Sequence, residues 1–463
     1  MSNKYFTVKF FCELALGWFI FSLYGCGGQV ATHKEAVAVI KEETVAEKIP
    51  KHFAAGDGQG EIDDGWLKDF HDPVLNSLVD EALAANPGLK IAQAKVDQAN
   101  GLNRQAAADL KPTMGLGGGY SDNEYQAGIE SAAARLGISW EADVWGRIRS
   151  SVAGSDEFAA ATEADYQFAR QSLAASVANG WFMATTAKFQ VRFAQEIAGL
   201  QEKSLEIAEA MQKIGKGSSR DVHLARAATA SAREGARYAL SAYENSLRSL
   251  ELLLGRYPSA DIETTDTLVA VPPPIPAGIP SQVLERRPDL IAAEDRVAAA
   301  FYKQKEAELL HLPSFRFSLG LGINSINDAI AGLAAGIVAP LYTGGEIEGK
   351  VEVATAKQKE AIAAYAQAAL NAFKEVESSL AAEEHLLKRQ EFLRIEVAEN
   401  RQAYEQTKKQ YEIGQISMLD VLTVQKKWIN SRMAELDMAG RRLVNRVNLH
   451  LALGGGFEES QGK

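Results

Sequence analysis

Only two cysteines, Cys12 and Cys26, stand among 463 residues. That excludes a disulfide-stapled scaffold, and no Cys/His spacing matches a zinc motif. Seven histidines, at 33, 52, 71, 223, 311, 385 and 450, are scattered, none at metal-ligand spacing from another. Basic charge is also short: 49 Lys and Arg stand against 60 Asp and Glu, a net charge of −11. A nucleic-acid binder needs a basic face to meet phosphates, so the composition argues against that class. There is no Gly-rich phosphate loop, nucleophile elbow or His-centred triad. Acid pairs such as Glu383-Glu384 are adjacent in sequence and do not converge on one face. No enzyme activity, cofactor or metal is expected. Beyond the N-terminus no run reaches 18 apolar residues, so no transmembrane helix is expected either. What the chain has in quantity is Ala within long Glu/Lys/Gln-rich stretches, which reads as long helices.

Lys4 and Lys9 precede an apolar stretch from about Phe10 to Tyr24, followed by Gly25, Cys26, Gly27 and Gly28. Charge, length and ending read as a secretory signal over residues 1–25. Leu23-Tyr24-Gly25-Cys26 resembles a bacterial lipobox, in which the Cys thiol is acylated before cleavage. Tyr24 is bulky for that motif, and Glu13 interrupts the apolar region. A plain signal with an incidental Cys is the alternative. On the lipobox reading Cys12 leaves with the signal and Cys26 carries lipid.

The rest of the chain is duplicated. Asn86-Pro87-Gly88-Leu89 corresponds to Arg287-Pro288-Asp289-Leu290, and Pro112 to Pro313, at an offset of 201. Gly146 and Ile148 correspond to Gly345 and Ile347 at 199. So do Ile214-Gly215, Ser218 and Asp221-Val222 to Ile413-Gly414, Ser417 and Asp420-Val421. The chain therefore divides into a signal (1–25), an N-terminal segment (26–86), a first repeat (87–254), a Pro-rich linker (255–287), a second repeat (288–453) and a tail (454–463).

Each repeat opens with Pro at the first helical position, where its missing N–H costs nothing. A strand hairpin follows, then a very long helix, a Gly turn and another long helix. Strands are expected at about 113–121, 135–141, 314–323 and 332–339. Phe315, Phe317, Leu319, Leu321 and Ile323 alternate with Arg316, Ser318, Gly320 and Gly322, a period of two. Segments of about ten such residues have the length of transmembrane β-strands. A half-buried soluble sheet is the alternative for any one hairpin. The long helices run from about Ile148 to Ile214 and from Ile347 to Ile413, roughly 100 Å each at ~1.5 Å per residue. The shorter pairs, Pro87–Leu110 with Ser218–Leu254 and Pro288–His311 with Ser417–Leu453, stack to nearly the same length. Four strands cannot close a barrel, which needs about eight, and lipid tolerates no open edge. If the strands span lipid, the protein must oligomerise, and a trimer would supply twelve.

Several segments, in order, resemble the TolC-like outer-membrane factor family of Gram-negative bacteria, particularly its lipid-anchored (OprM/NodT-type) efflux branch. They are Leu284-Glu285-Arg286-Arg287-Pro288-Asp289-Leu290 with Ala293-Glu294, and Ser139-Trp140-Glu141-Ala142-Asp143-Val144-Trp145-Gly146-Arg147. Others are Asp72-Pro73 with Leu75 and Leu78, Pro340-Leu341-Tyr342 before Gly344-Gly345, and Tyr411 to Gly414 followed by Ser417 to Leu422. The resemblance implies a mainly α fold with a small transmembrane β part. It implies a homotrimer whose 12-stranded outer-membrane barrel continues into a long periplasmic α-helical barrel. An equatorial region would form from the N-terminal segment, the linker and the C-terminus. The implied role is the exit duct of a tripartite efflux system, with a periplasmic adaptor, an inner-membrane pump of the RND type and outer-membrane lipid as partners. A type I protein-secretion duct, or a periplasmic lipoprotein with a structural coiled coil, is the alternative.

On that resemblance Gly215 and Gly414 sit at helix-hairpin tips that touch the adaptor, with Ser218 and Ser417. Asp420 falls on the family's aperture aspartate, where three copies near an axis repel each other and attract cations. The position of a second aperture acid, one turn on, is Thr423. Asp221 is the repeat equivalent, with Arg220 and Lys216 as candidate closed-state partners. The competing reading of both aspartates is helix capping behind Ser218 and Ser417. Arg286-Arg287-Pro288-Asp289 reads as a structural helix start. Trp140 and Trp145 suit an interfacial belt or core packing, and alternation turns Arg316 to the barrel lumen.

Overall fold

A computed structural model describes residues 30–43, 50, 52–56, 64–123, 129–276, 278, 280–324 and 329–458. The signal, Cys26 and the last five residues lie outside this set. The described elements are α1 (His33–Glu43), a 3₁₀ turn at Trp66–Phe70, α2 (Pro73–Ala85), α3 (Pro87–Ala108), β1 (Thr113–Asn123) and β2 (Ile129–Ala142). Then come α4 (Arg147–Lys213), α5 (Ser219–Leu253), α6 (Pro280–Arg286), α7 (Pro288–Glu308), β3 (Ser314–Asn324) and β4 (Ala329–Val338). The chain closes with α8 (Glu346–Glu412) and α9 (Met418–Ala452). The equivalent helices α4 and α8 have 67 residues each, and α5 and α9 have 35 each.

Local chemistry explains the helix starts. Asp72 caps α2 by accepting from the Val74 and Leu75 N–H groups at 3.0 and 3.1 Å, with Pro73 behind it. Asn86 does the same for α3 through Leu89 at 3.0 Å, and donates its amide to the Leu253 carbonyl at 2.7 Å. Asp143 accepts from the Ile148 and Arg149 N–H groups at the head of α4.

The chain folds as two compact units, and neither is a repeat. The first comprises residues 1–48, 93–165 and 289–368; the second comprises 49–92, 166–288 and 369–463. Each draws on both copies. In the first unit the four strands form one antiparallel sheet in the order β1-β2-β3-β4. The hairpins of the two copies are joined by β2 pairing with β3, Ile138 opposite Leu319 and Trp140 opposite Phe317. Below the sheet, α1 buries Ala36 and Ile40 against Val297, Ala298, Tyr302, Ile362 and Tyr365. This helix belongs to the segment that the sequence pattern left without secondary structure.

Two large apolar clusters lie in the second unit, beside a smaller one of Val191, Ala194 and Ala239. One gathers Trp66, Phe70, Leu75, Trp181, Phe182, Leu250, Leu443 and Val447. Its polar centre is Asp72, whose Oδ2 accepts from Trp181 Nε1 at 2.7 Å. The other gathers Phe193, Val222, Tyr404, Tyr411, Met418, Val421 and Trp428. The Pro-rich linker is held to this unit by two buried charges. Glu251 accepts from the Ala260 and Asp261 N–H groups, both at 2.7 Å. Arg446, 1% exposed, donates to the Pro272 carbonyl at 2.7 Å, to that of Pro273, and to Glu383 at 2.7 Å.

Candidate functional site: a bare apolar sheet and two hairpin tips

The register sorts the sheet into two faces. Met114, Leu116, Leu136, Ile138, Trp140, Phe315, Phe317, Leu319, Leu321, Ile323, Leu333 and Ile337 share one. Gly115, Gly137, Ser139, Glu141, Arg316, Ser318 and Gly320 share the other. The apolar face is not covered. Leu116 is 82% exposed, Leu333 76%, and Met114, Ile323 and Ile337 also lie open. A water-soluble sheet buries such a face, because each large aliphatic side chain left in water forfeits about 1.5–3 kcal/mol. Strands of 10 to 14 residues with aliphatic side chains on one face suit a lipid boundary. Among the described residues, β1 and β4 also keep unpaired outer edges.

On the opposite face Arg316 is exposed, 3.5 Å from Glu141 on the neighbouring strand, and Glu141 accepts from Arg147 at 2.7 Å. Trp140 stacks on Phe317 with ring centroids 5.9 Å apart and donates Nε1 to the Leu110 carbonyl at 3.1 Å. Trp145, 41% exposed, donates Nε1 to the Pro313 carbonyl at 2.8 Å. Both indoles thus pair their polar ends where strands meet helices.

The hairpin tips are built alike in the second unit. Gly215 and Gly414 have φ of +74° and +81°, the left-handed conformation that ends α4 and α8. The Lys216 N–H returns to the Met211 carbonyl at 3.0 Å, and the Gln415 N–H to that of Gln410 at 2.9 Å. Ser218 and Ser417 then cap α5 and α9. Asp221 Oδ2 accepts from the Ser218 hydroxyl at 2.8 Å, and Asp420 Oδ2 from the Ser417 hydroxyl at 2.6 Å and its N–H at 3.1 Å. Both aspartates therefore take the capping geometry, but their surroundings differ. Asp420 is exposed, and the Ser417 hydroxyl and N–H hold its carboxyl below the usual carboxylate range. Asp221 is 8% exposed, and its Oδ1 has no hydrogen-bond partner among the described residues. Its charge lies close enough to Tyr411, after burial, to help raise that phenol.

The pairing of Asp221 with Arg220 or Lys216 is not found. Both cations are exposed, and among the described residues neither forms an ion pair, while the Asp221 carboxylate is buried with only its Oδ2 engaged, by Ser218. Thr423 turns its hydroxyl back to the Leu419 carbonyl at 2.7 Å. Arg287 is structural: 3% exposed, it donates to Glu375 at 2.7 Å and to the Ala452 carbonyl at 3.2 Å. Arg286 pairs with Asp64 at 2.6 Å.

Spacing along the chain offers no metal motif, yet the fold brings His33, Glu157 and Asp295 together in the first unit. Burial pushes the Asp295 carboxyl up to about 6, and the Glu157 charge acts the same way. Burial lowers the His33 imidazole, but the Glu157 hydrogen bond and the neighbouring acids outweigh it and leave the ring raised.

The sequence profile of the outer membrane efflux protein family matches residues 78–256 and 279–455, one stretch for each repeat. The chain belongs to that family. It is similar to the toluene efflux pump outer membrane protein TtgC of Pseudomonas putida, 29% identical over 428 residues, which are 86% of each chain. It is also similar to the cation efflux system protein CusC of Escherichia coli O6:H1, 28% identical over 412 residues, covering 85% of this chain and 89% of that one. A crystal structure of CusC superposes with a TM-score of 0.80 at 25% identity, over 88% of this chain and 97% of the other. The chain is accordingly an outer-membrane efflux channel with a large periplasmic part, of mainly α fold with a small transmembrane β portion. The family is a conduit rather than an enzyme.

Proposed function

We propose that three copies close their sheets into one 12-stranded barrel and act as the passive exit duct of a tripartite pump. The observation that carries this reading is the uncovered apolar face of a sheet with two unpaired edges. Lipid answers the face, and strands of neighbouring copies answer the edges. Acylation of Cys26 would tether the same chain to the membrane, and Arg316 would look into the lumen. The Gly215–Ser218 and Gly414–Ser417 tips would meet a periplasmic adaptor serving an inner-membrane pump of the RND type. Asp420, exposed and ionised well below neutral pH, would ring the aperture. The buried and capped Asp221 would support the tip instead of lining it. The relatives TtgC and CusC are named for toluene and for cations, so we assign the choice of cargo to the pump.

Single-channel recording in a planar bilayer tests both parts. Wild-type protein should form trimers that conduct weakly and are blocked by divalent cations. Asp420→Ala should conduct more and lose most of that block, whereas Arg220→Ala should change little. Monomeric protein without conductance would refute the duct. Unchanged block in Asp420→Ala would move the constriction elsewhere. With Cys26 replaced, the protein should still need detergent for extraction; release by aqueous buffer would favour a tethered soluble protein.

A further inference from the structure

Three segments distant in the chain converge beneath the sheet of the first unit. His33 opens α1, Glu157 projects from α4, and Glu294 and Asp295 from α7. One donor atom from each of His33, Glu157 and Asp295 lies within 4.8 Å of the other two. His33 Nδ1 is 2.9 Å from Glu157 Oε2, and its Nε2 is 3.8 Å from Glu294 Oε1. Asp295 adds a separate observation. Its residue is 8% exposed, and among the described residues its carboxylate accepts no hydrogen bond and enters no ion pair. Arg296, next in sequence, is engaged with Asp165 instead. A mostly buried carboxylate without a hydrogen bond has only the nearby His33 and Arg296 charges and residual water to offset its desolvation, and a bound cation would offset it more fully.

We propose that His33, Glu157 and Asp295 form a binding site for a divalent transition cation of the zinc class, a role separate from conduction. One imidazole with two carboxylates is a zinc-type donor set, whereas calcium and magnesium prefer oxygen alone. Zinc bonds of ~2.0–2.2 Å place tetrahedral donors about 3.3 Å apart. The His33–Glu157 hydrogen bond of 2.9 Å would open slightly to that spacing, and the donor atoms up to 4.8 Å apart would close by rotation of the half-exposed His33 and a small shift of Asp295. Glu294 stands behind the imidazole, where an outer carboxylate orients a metal-bound ring. An ion here would fasten α1 to α4 and α7, adding three bonds to the packing of Ala36 and Ile40.

The test uses untagged, detergent-solubilised full-length protein, stripped with chelator and titrated with Zn²⁺ by calorimetry. Wild type should bind one ion per chain at this site, with hydrogen exchange over His33–Glu43 slowed in its presence. His33→Gln changes a half-exposed side chain and should keep the metal-free unfolding midpoint while weakening that binding at least tenfold. Asp295→Asn should do the same, and Co²⁺ should give a ligand-field spectrum that His33→Gln abolishes. No Zn²⁺ binding by wild type, or undiminished binding by His33→Gln, overturns the site. The second result would include ions held at Asp420.

Discussion

Burying His450 makes the stability of the second unit depend on pH in a way the structure quantifies. The ring is 2% exposed, stacked on Trp66 with centroids 5.6 Å apart, and among the described residues neither nitrogen has a hydrogen-bond partner. Burial, joined by the Arg446 guanidinium, drives its pKa from 6.5 down to about 3. The folded chain therefore holds a neutral imidazole that the unfolded chain protonates below ~6.5. A group with a depressed folded pKa contributes stability above its unfolded value and loses it as pH falls toward the folded one. Between pH 7 and pH 5 this single group should remove ~2 kcal/mol, on the way to ~5 kcal/mol in strong acid. His450→Phe keeps an aromatic ring against Trp66 and cannot titrate. Denaturant unfolding of wild type and variant at pH 7 and pH 5 isolates the effect, since every other titrating group cancels in the double difference. Wild type should lose ~2 kcal/mol more than His450→Phe over that interval. Equal losses would mean that the ring is not buried in its neutral form.

Two further substitutions probe the same unit. A Cβ at Gly440 would stand 2.5 Å from Thr186 Oγ1 and 3.2 Å from Thr186 Cβ, where the α9 backbone meets the Thr186 side chain of α4. Gly440→Ala should cost ~1–3 kcal/mol by denaturant unfolding, with part restored by adding Thr186→Ala; unchanged stability would contradict the close crossing. Arg446→Ala should cost ~2–3 kcal/mol, because it leaves two proline carbonyls unpaired and Glu383 with only Asn445 and Arg442. Limited proteolysis should then cut the Pro-rich linker more readily than in wild type, and equal cleavage would show that Arg446 does not anchor it.

Much of this architecture can be read from residue patterns, because periodicity and punctuation are local signals. Alternation around Phe315–Ile323 marks a strand whose faces differ in polarity, and Gly215 and Gly414 mark where long helices must stop. The repeats at Pro87 and Pro288 declare the duplication. Long-range partners carry no such mark. The helix His33–Glu43 has ordinary polar composition, and Val297, Ala298, Tyr302, Ile362 and Tyr365, all distant in sequence, give it a place to pack. Histidine spacing says nothing of His33 as a ligand, since its partners arrive from α4 and α7. At the tips the residues are visible in the sequence but their difference is not. Asp221 and Asp420 sit in equivalent sequence, yet one is packed beside Tyr411 and the other faces solvent.

The joining of β2 to β3 also sets a timetable. Residues 138 and 319 are neighbours in the sheet, so the strands of the first copy cannot complete their ladder until β3 of the second copy exists. Both compact units likewise wait for late segments, the second for α9 at the very end. Such distant pairing closes large loops before any contact rewards them, and it makes acquisition of structure slow. Until then the apolar strands remain exposed single edges, the form in which chains most readily pair with the wrong partner. A nascent chain of this design depends on being kept apart from its siblings until it is finished, and then on finding two of them.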